Sequence, residues 1–167
     1  AAQCCACGGG TESSSGPDWE DCPGCYEFTA TLNGAAVLND GVQLDAEDDI
    51  LAAFDDDGNV RGVAIHLIDV PIGPYAGTNL YEMQIRSDNE GDLITYKYYD
   101  ASADAILNVA ETYDFVINDV IGDVEDPMIY NFVHITLSFT NVSSTGIDIN
   151  YVSNAEIAGF QFDVSGV

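Results

Sequence analysis

The chain has 167 residues, with 29 Asp plus Glu against 3 Lys plus Arg and a formal net charge of −26. A surface of that sign repels phosphate backbones and anionic bilayers, which excludes nucleic-acid binding and leaves many carboxylates for hard cations. A hydrophobic share of 47% is too high for an acidic disordered tail, and no apolar run reaches the roughly 18 residues of a membrane span.

Residues 1–25 read as a Cys-rich, Gly/Ser-rich flexible leader, with Gly8-Gly9-Gly10 and Ser13-Ser14-Ser15-Gly16-Pro17 free of any apolar period. All five cysteines stand there, at Cys4, Cys5, Cys7, Cys22 and Cys25. Together with a first residue of Ala1 and the acidic composition, they fit a processed, secreted protein of an extracellular or cell-surface location, where thiols pair. The count is odd, so pairing within the chain leaves a sulfur for another chain, a metal or a redox reaction. A vicinal Cys4–Cys5 bond would be strained, which favours links from the first cluster to Cys22 and Cys25. The spacing of Cys4-x-x-Cys7 and Cys22-x-x-Cys25 also resembles a four-thiolate zinc site, which the fifth thiol and the exterior-type composition make the lesser alternative.

From Tyr26 the texture changes to short strands. Tyr26 to Leu32 alternates apolar and polar side chains and meets Asn33-Gly34, the dipeptide of a tight hairpin turn. Asp49 to Phe54 and Val60 to Leu67 form a second expected hairpin, and Asn79 to Arg86 with Leu93 to Tyr99 a third. Ala105 to Val109, Tyr113 to Val116, His134 to Asn141, Gly146 to Val152 and Ile157 to Val164 complete the strands, and no long stretch keeps a 3.6-residue period. The expected fold is all-β: an antiparallel β-sandwich, immunoglobulin- or jelly-roll-like, over residues 26–131. Residues 132–167 add strands that either complete this sandwich or pair with a neighbouring subunit.

Chemistry is sparse along these strands. Asp55, Asp56, Asp57 and Asn59 surround Gly58 as in the opening of a calcium loop, but no Glu follows at the twelfth position, so the cluster is not an EF-hand; Asp-Gly-Asn chemistry favours a solvated hairpin tip, with calcium binding the lesser alternative. Asp119, Asp123, Glu125 and Asp126 form a weaker acidic cluster. Asn141-Val142-Ser143 is a glycosylation sequon. His66 and His134 sit singly in strand patterns, and no nucleophile elbow, zinc-binding His pair or phosphate-cradling loop is present. No catalytic residue is assigned, and no enzyme is expected.

Three segments carry a resemblance. Leu51 to Ala64, with its Phe54-Asp55-Asp56-Asp57-Gly58-Asn59 core, Leu93 to Ala101 and Val120 to Pro127 resemble a β-sandwich module of large secreted proteins from aquatic bacteria and marine environments, over about residues 25–130. The resemblance implies a secreted sandwich and no particular activity. Ala155 to Val164 is similar to the opening strands of cohesin-like modules, with too few strands following to imply dockerin binding. Ile157, Phe160, Phe162 and Val164 mark an apolar strand with no obvious partner in its own chain, and an open edge of that kind pairs readily with another chain. The expected function is therefore a structural subunit of an extracellular filament, pilus-like appendage or surface layer, a homopolymer joined by strand addition and disulfides. The alternative is a secreted carbohydrate- or protein-binding module stabilised by calcium.

Overall fold

In the computed structural model, which describes residues 16–154, every regular element is a β-strand, as the sequence pattern leads one to expect. The pairing of those strands departs from expectation at several places.

Strand β1 (Phe28–Asn39) does not turn at Asn33-Gly34 but runs straight through it. The dipeptide is instead an irregularity in the ladder, where the register to the neighbouring strand shifts between Leu32 and Ala35. A side chain at residue 34 is impossible there, because a Cβ would stand 2.6 Å from the carbonyl oxygen of Asp123. The turn comes at Asp40-Gly41, whose φ angles of 50° and 80° are those of a primed hairpin. It leads into β2 (Val42–Leu44), antiparallel to the end of β1.

The second hairpin is present: β3 (Ile50–Phe54) pairs antiparallel with β4 (Val60–Val63). The run from Val60 to Leu67 is not one strand, however. It breaks at Ala64, whose N–H donates to the carbonyl of Leu51 at 2.9 Å, and continues as β5 (Ile65–Leu67) in the other sheet, paired with β6 (Leu80–Ser87). Glycine at residue 62 permits the close approach of β4 to β6, since a Cβ would come within 2.5 Å of the Gln84 carbonyl oxygen.

The third expected hairpin is absent. β6 lies between β1 and β5, while β7 (Leu93–Asp100) lies between β3 and β8 (Ala105–Asp114), so the link from Ser87 to Asp92 crosses from one sheet to the other. Each strand has one buried apolar face, Tyr81, Met83 and Ile85 on β6 and Ile94, Tyr96 and Tyr98 on β7, and placing the strands in different sheets lets the two faces share one core cluster. The crossover is pinned by Ser87, buried, whose hydroxyl donates to the Asp92 carboxylate and accepts from Arg61 Nη1 at 3.3 Å. The segments 105–109 and 113–116 also differ from expectation, merging into the single strand β8.

β9 (Val120–Ile121) and β10 (Met128–Asn131) pair with β1 in parallel, in contrast to the antiparallel pairing of the other described strands. β11 (Ile135–Thr140) and β12 (Asp148–Ser153) form a separate two-stranded sheet. One hydrophobic cluster draws Leu32, Val37 and Ile85 from the β1–β6 sheet and Leu51, Ile94 and Tyr96 from the β3–β7 sheet. Phe132 belongs to the same core, bridging back to Val109.

Residues 16–25 correct the expectation of a flexible leader up to Cys25, because they are strapped to the body. Trp19 meets the Phe54 ring edge-on at 5.2 Å, Arg86 forks onto Asp21 at 3.0 and 2.7 Å, and the Arg61 guanidinium covers the Tyr26 ring at 4.2 Å. Cys22 and Cys25 bond to each other, with Cα atoms 5.4 Å apart, rather than to the first cysteine cluster. The Pro23-Gly24 turn brings them together, the Cys25 N–H donating to the Cys22 carbonyl at 3.1 Å. This also removes two of the four thiolates of the zinc alternative. Cys4, Cys5 and Cys7 lie outside the described residues, as do Ile157, Phe160, Phe162 and Val164.

A polar chain runs through the core. Asp49, buried, accepts from Tyr98 Oη at 2.6 Å, from the Ala101 N–H at 2.9 Å and from the Ala46 N–H at 3.2 Å. The Tyr98 oxygen in turn shares a 2.9 Å bond with Tyr81 Oη. Burial pushes both phenols well above their ordinary range, so both stay protonated and able to donate. Replacing Tyr98 by Phe leaves the buried Asp49 carboxylate one donor short. Urea denaturation should show a loss of about 2 kcal/mol; a loss below about 0.5 kcal/mol would mean that the bond contributes nothing net.

Candidate assembly surface

No Asp, Glu, Lys or Arg stands between Asp126 and Asp148, the longest uncharged run of the chain. β11 lies within this run, and β12 opens at Asp148 and carries no further charge. Ile135-Thr136-Leu137-Ser138-Phe139-Thr140 alternates with period two, so its apolar side chains share one face. The register places Ile135, Leu137 and Phe139 opposite Ser153, Tyr151 and Ile149. One face of the ribbon is therefore Ile135, Leu137, Phe139, Ile149 and Tyr151, and the other is Thr136, Ser138, Thr140, Asp148, Asn150 and Val152. On the polar face Asn150 Nδ2 donates to Thr140 Oγ1 at 2.7 Å.

The apolar face is open. Phe139 is 61% exposed and Leu137 42%, and every residue of β11 is exposed. Among the described residues neither strand pairs with a third. A lone two-stranded ribbon is marginal in water, which makes a covered face the stable arrangement.

The base of the ribbon is held by Asn154. Its side chain accepts from the His134 N–H at 2.7 Å and donates to the Phe132 carbonyl at 2.7 Å, tying the hairpin to a core residue. The tip is held by Asn141, at φ 50°, whose amide donates to Asp148 at 2.6 Å, and by Ser143, whose N–H donates to the Gly146 carbonyl at 2.8 Å. The sequon asparagine thus sits exposed at the tip, with its amide nitrogen engaged by a carboxylate.

The second candidate, the Asp55 to Asn59 cluster, is a turn built by its own carboxylate. Asp55 Oδ1 accepts from the N–H groups of Asp57 at 3.0 Å and Asn59 at 2.8 Å. Its Oδ2 accepts from Asn59 Nδ2 at 2.9 Å and pairs with Arg61 Nη2 at 2.9 Å. Asp56 and Asp57 line an open cleft of about 260 Å³ together with Asp92 and Asn89. Among the described residues no three Asp, Glu, His or Cys side chains converge as a metal set. The weaker cluster is alike: Asp123 Oδ1 caps its own turn, accepting from the N–H groups of Glu125 and Asp126 at 2.8 Å each, and Asp119 accepts from Tyr113 Oη at 3.1 Å.

Searches against protein families, curated proteins and solved structures find no match for this chain. Any functional reading therefore rests on its geometry. The sequence pattern assigns residues 132–167 to strands that complete the body or pair with a neighbour and singles out Ile157, Phe160, Phe162 and Val164 within them, without marking the apolar face of β11 and β12. The signal available for that face was the missing charge between Asp126 and Asp148.

Partial burial alone would raise the Asp55 carboxyl; hydrogen bonds from Asn59 and Arg61, with the charge of Arg61, outweigh it and hold the group below its ordinary 3.8. A depressed carboxyl stabilises the fold above its unfolded value and loses that contribution as pH falls through the folded one. Asp55→Asn should then cost about 1 kcal/mol near neutrality, and the gap to the parent protein should close below about pH 4. Thermal melts at both pH values, with and without chelator, check this. A chelator-sensitive melt that Asp55→Asn abolishes would replace the Arg61 account with a bound cation.

Proposed function

We propose that this protein is a structural subunit of an extracellular filament, pilus-like appendage or surface layer, with a β-sandwich body and copies joined by strand addition at the β11–β12 ribbon. The observation that carries this reading is the exposed, uncharged apolar face on a subunit whose remaining surface is dense in carboxylates. Between copies of net charge −26, contact is least opposed where charge is absent. Covering half-exposed Ile, Leu and Phe side chains gains about 1 kcal/mol each, which several such residues together turn into a stable contact.

The donor is the segment from Ile157 to Val164 of a neighbouring copy. In it Ala158, Phe160, Phe162 and Val164 alternate with Gly159, Gln161 and Asp163, the pattern of a strand with one apolar face. Added to an open edge of the ribbon, it would satisfy backbone groups and lay its phenylalanines beside Leu137 and Phe139. The Cys22–Cys25 disulfide supports an oxidising exterior, and the acidity suits saline water, where screening limits repulsion to about 8 Å.

Leu137→Asp with Phe139→Asp places carboxylates on the ribbon face without touching the core. Sedimentation of the parent protein should show large polymers, and the double variant should stay monomeric with the body's melting temperature retained. Deletion of residues 157–167 should do the same. Polymers of normal length from either variant, or a parent protein that stays monomeric at high concentration, would reject the reading, the latter in favour of a binding module.

Salt provides a second check. Each basic side chain is engaged within its own copy: Arg61 on Asp55, Arg86 on Asp21, and the Lys97 ammonium 4.7 Å over the Phe54 ring. With no cation left to offer a neighbour, assembly should accelerate as ionic strength rises from low to physiological values. Faster assembly in dilute buffer would mean that ion pairs join the copies.

A further inference from the structure

The Cys22–Cys25 bond closes a loop over Pro23 and Gly24 alone. A cross-link across so short a segment removes little freedom from the unfolded chain, so the body gains little from it. The loop is held in place by other means. Asp21 on one side is forked by Arg86, and Tyr26 on the other lies under Arg61. Pro23, Gly24 and Cys25 are exposed, while Cys22 is half-buried against the body. The result is an anchored surface loop that presents one sulfur of a dispensable disulfide.

Upstream stand Cys4, Cys5 and Cys7. Three sulfurs cannot all pair among themselves, and exchange within one chain only changes which is left over. Pairing within one chain therefore always leaves a thiol that can attack a disulfide in another copy.

We propose that Cys22–Cys25 is the acceptor of a thiol–disulfide exchange that joins copies covalently, a step that rests on the self-assembly reading above. A thiolate at Cys4, Cys5 or Cys7 of one copy attacks Sγ of Cys25 in another. The Cys22–Cys25 bond breaks as the new disulfide forms, and the electron pair leaves on Cys22 Sγ, which takes up a proton or attacks in turn. One disulfide is consumed and one is made, so no oxidant is needed. Cys25 is the sulfur attacked because it is exposed, and Cys22 is the leaving group. Asp18, Glu20, Asp21 and Glu27 flank the loop; they repel an incoming thiolate, so exchange quickens with added salt and with pH approaching the thiol range near 8.5.

The test mixes normal and heavy-nitrogen full-length chains, lets them assemble, alkylates free thiols and maps unreduced peptides by mass spectrometry. Light–heavy peptides joining Cys25 to Cys4, Cys5 or Cys7, with Cys22 alkylated, are expected, in yields that rise several-fold from pH 6 to pH 8.5. Cys22→Ser with Cys25→Ser should still assemble through the ribbon, into polymers that denaturant disperses without reductant. Polymers in which every chain keeps Cys22 bonded to Cys25 overturn the exchange and leave the assembly reading standing. Chains that stay monomeric without light–heavy links overturn both.

Discussion

Arg61 is the joint on which the arrangement of the body depends. Its guanidinium pairs with Asp55 at 2.9 Å, so fixing the β3–β4 turn, and donates to Ser87 Oγ at 3.3 Å, so fixing the start of the crossover between sheets. It also covers the Tyr26 ring at 4.2 Å, which holds down the strap ahead of β1. One planar group with several donors serves three chain segments that are distant in sequence. On a chain with 3 basic residues, that placement matters more than on an ordinary surface. A cation at this position gathers a carboxylate, a hydroxyl and an aromatic ring around one side chain.

The same scarcity of cations shapes the outside. With the basic side chains committed to internal partners, the charge of the surface is overwhelmingly negative, and several of its carboxylates serve local turns. Asp55, Asp100 and Asp123 each cap a loop by accepting backbone N–H bonds; the carboxyl of Asp55 is held down first by the Asn59 side chain, that of Asp100 by the Ser102 hydroxyl and that of Asp123 by the backbone N–H groups of Asp126 and Glu125. Many of the acids are thus turn-building residues that also keep copies apart. The β11–β12 ribbon is an exception, a projection with one uncharged apolar face, tied to the core through Asn154 and the short link from Phe132. In the proposed assembly, repulsion between carboxylates and the apolar face of the ribbon would together favour contact at that face.

Covalent and non-covalent joining would act at opposite ends of the described chain. The ribbon follows the last strand of the body, and the Cys22–Cys25 loop precedes the first. In the proposed assembly, strand addition would bring copies together, and an exchange that needs no oxidant would link them covalently once chains are aligned.

Local patterns in the sequence determined that the chain is all-β, because period-two alternation and Asp-Gly and Asn-Gly dipeptides report on each segment's own faces and turns. The Asp55 to Asn59 turn was legible for that reason, and so was the β11–β12 pair. Which strands meet was not legible. Asn33-Gly34 has the chemistry of a hairpin turn, yet it passes through as an irregularity because the Asp123 backbone packs where a side chain would be. The links at Ala64 and at Ser87 to Asp92 look like strand interior and hairpin loop, yet both carry the chain between sheets, since only there can the apolar faces of β6 and β7 be buried together. Cys22 chose Cys25 over the first cluster through a turn that spacing alone does not rank above a longer link. Sheet membership and sulfur pairing depend on burial and on contacts between residues far apart in the chain, and the tertiary structure alone decided them.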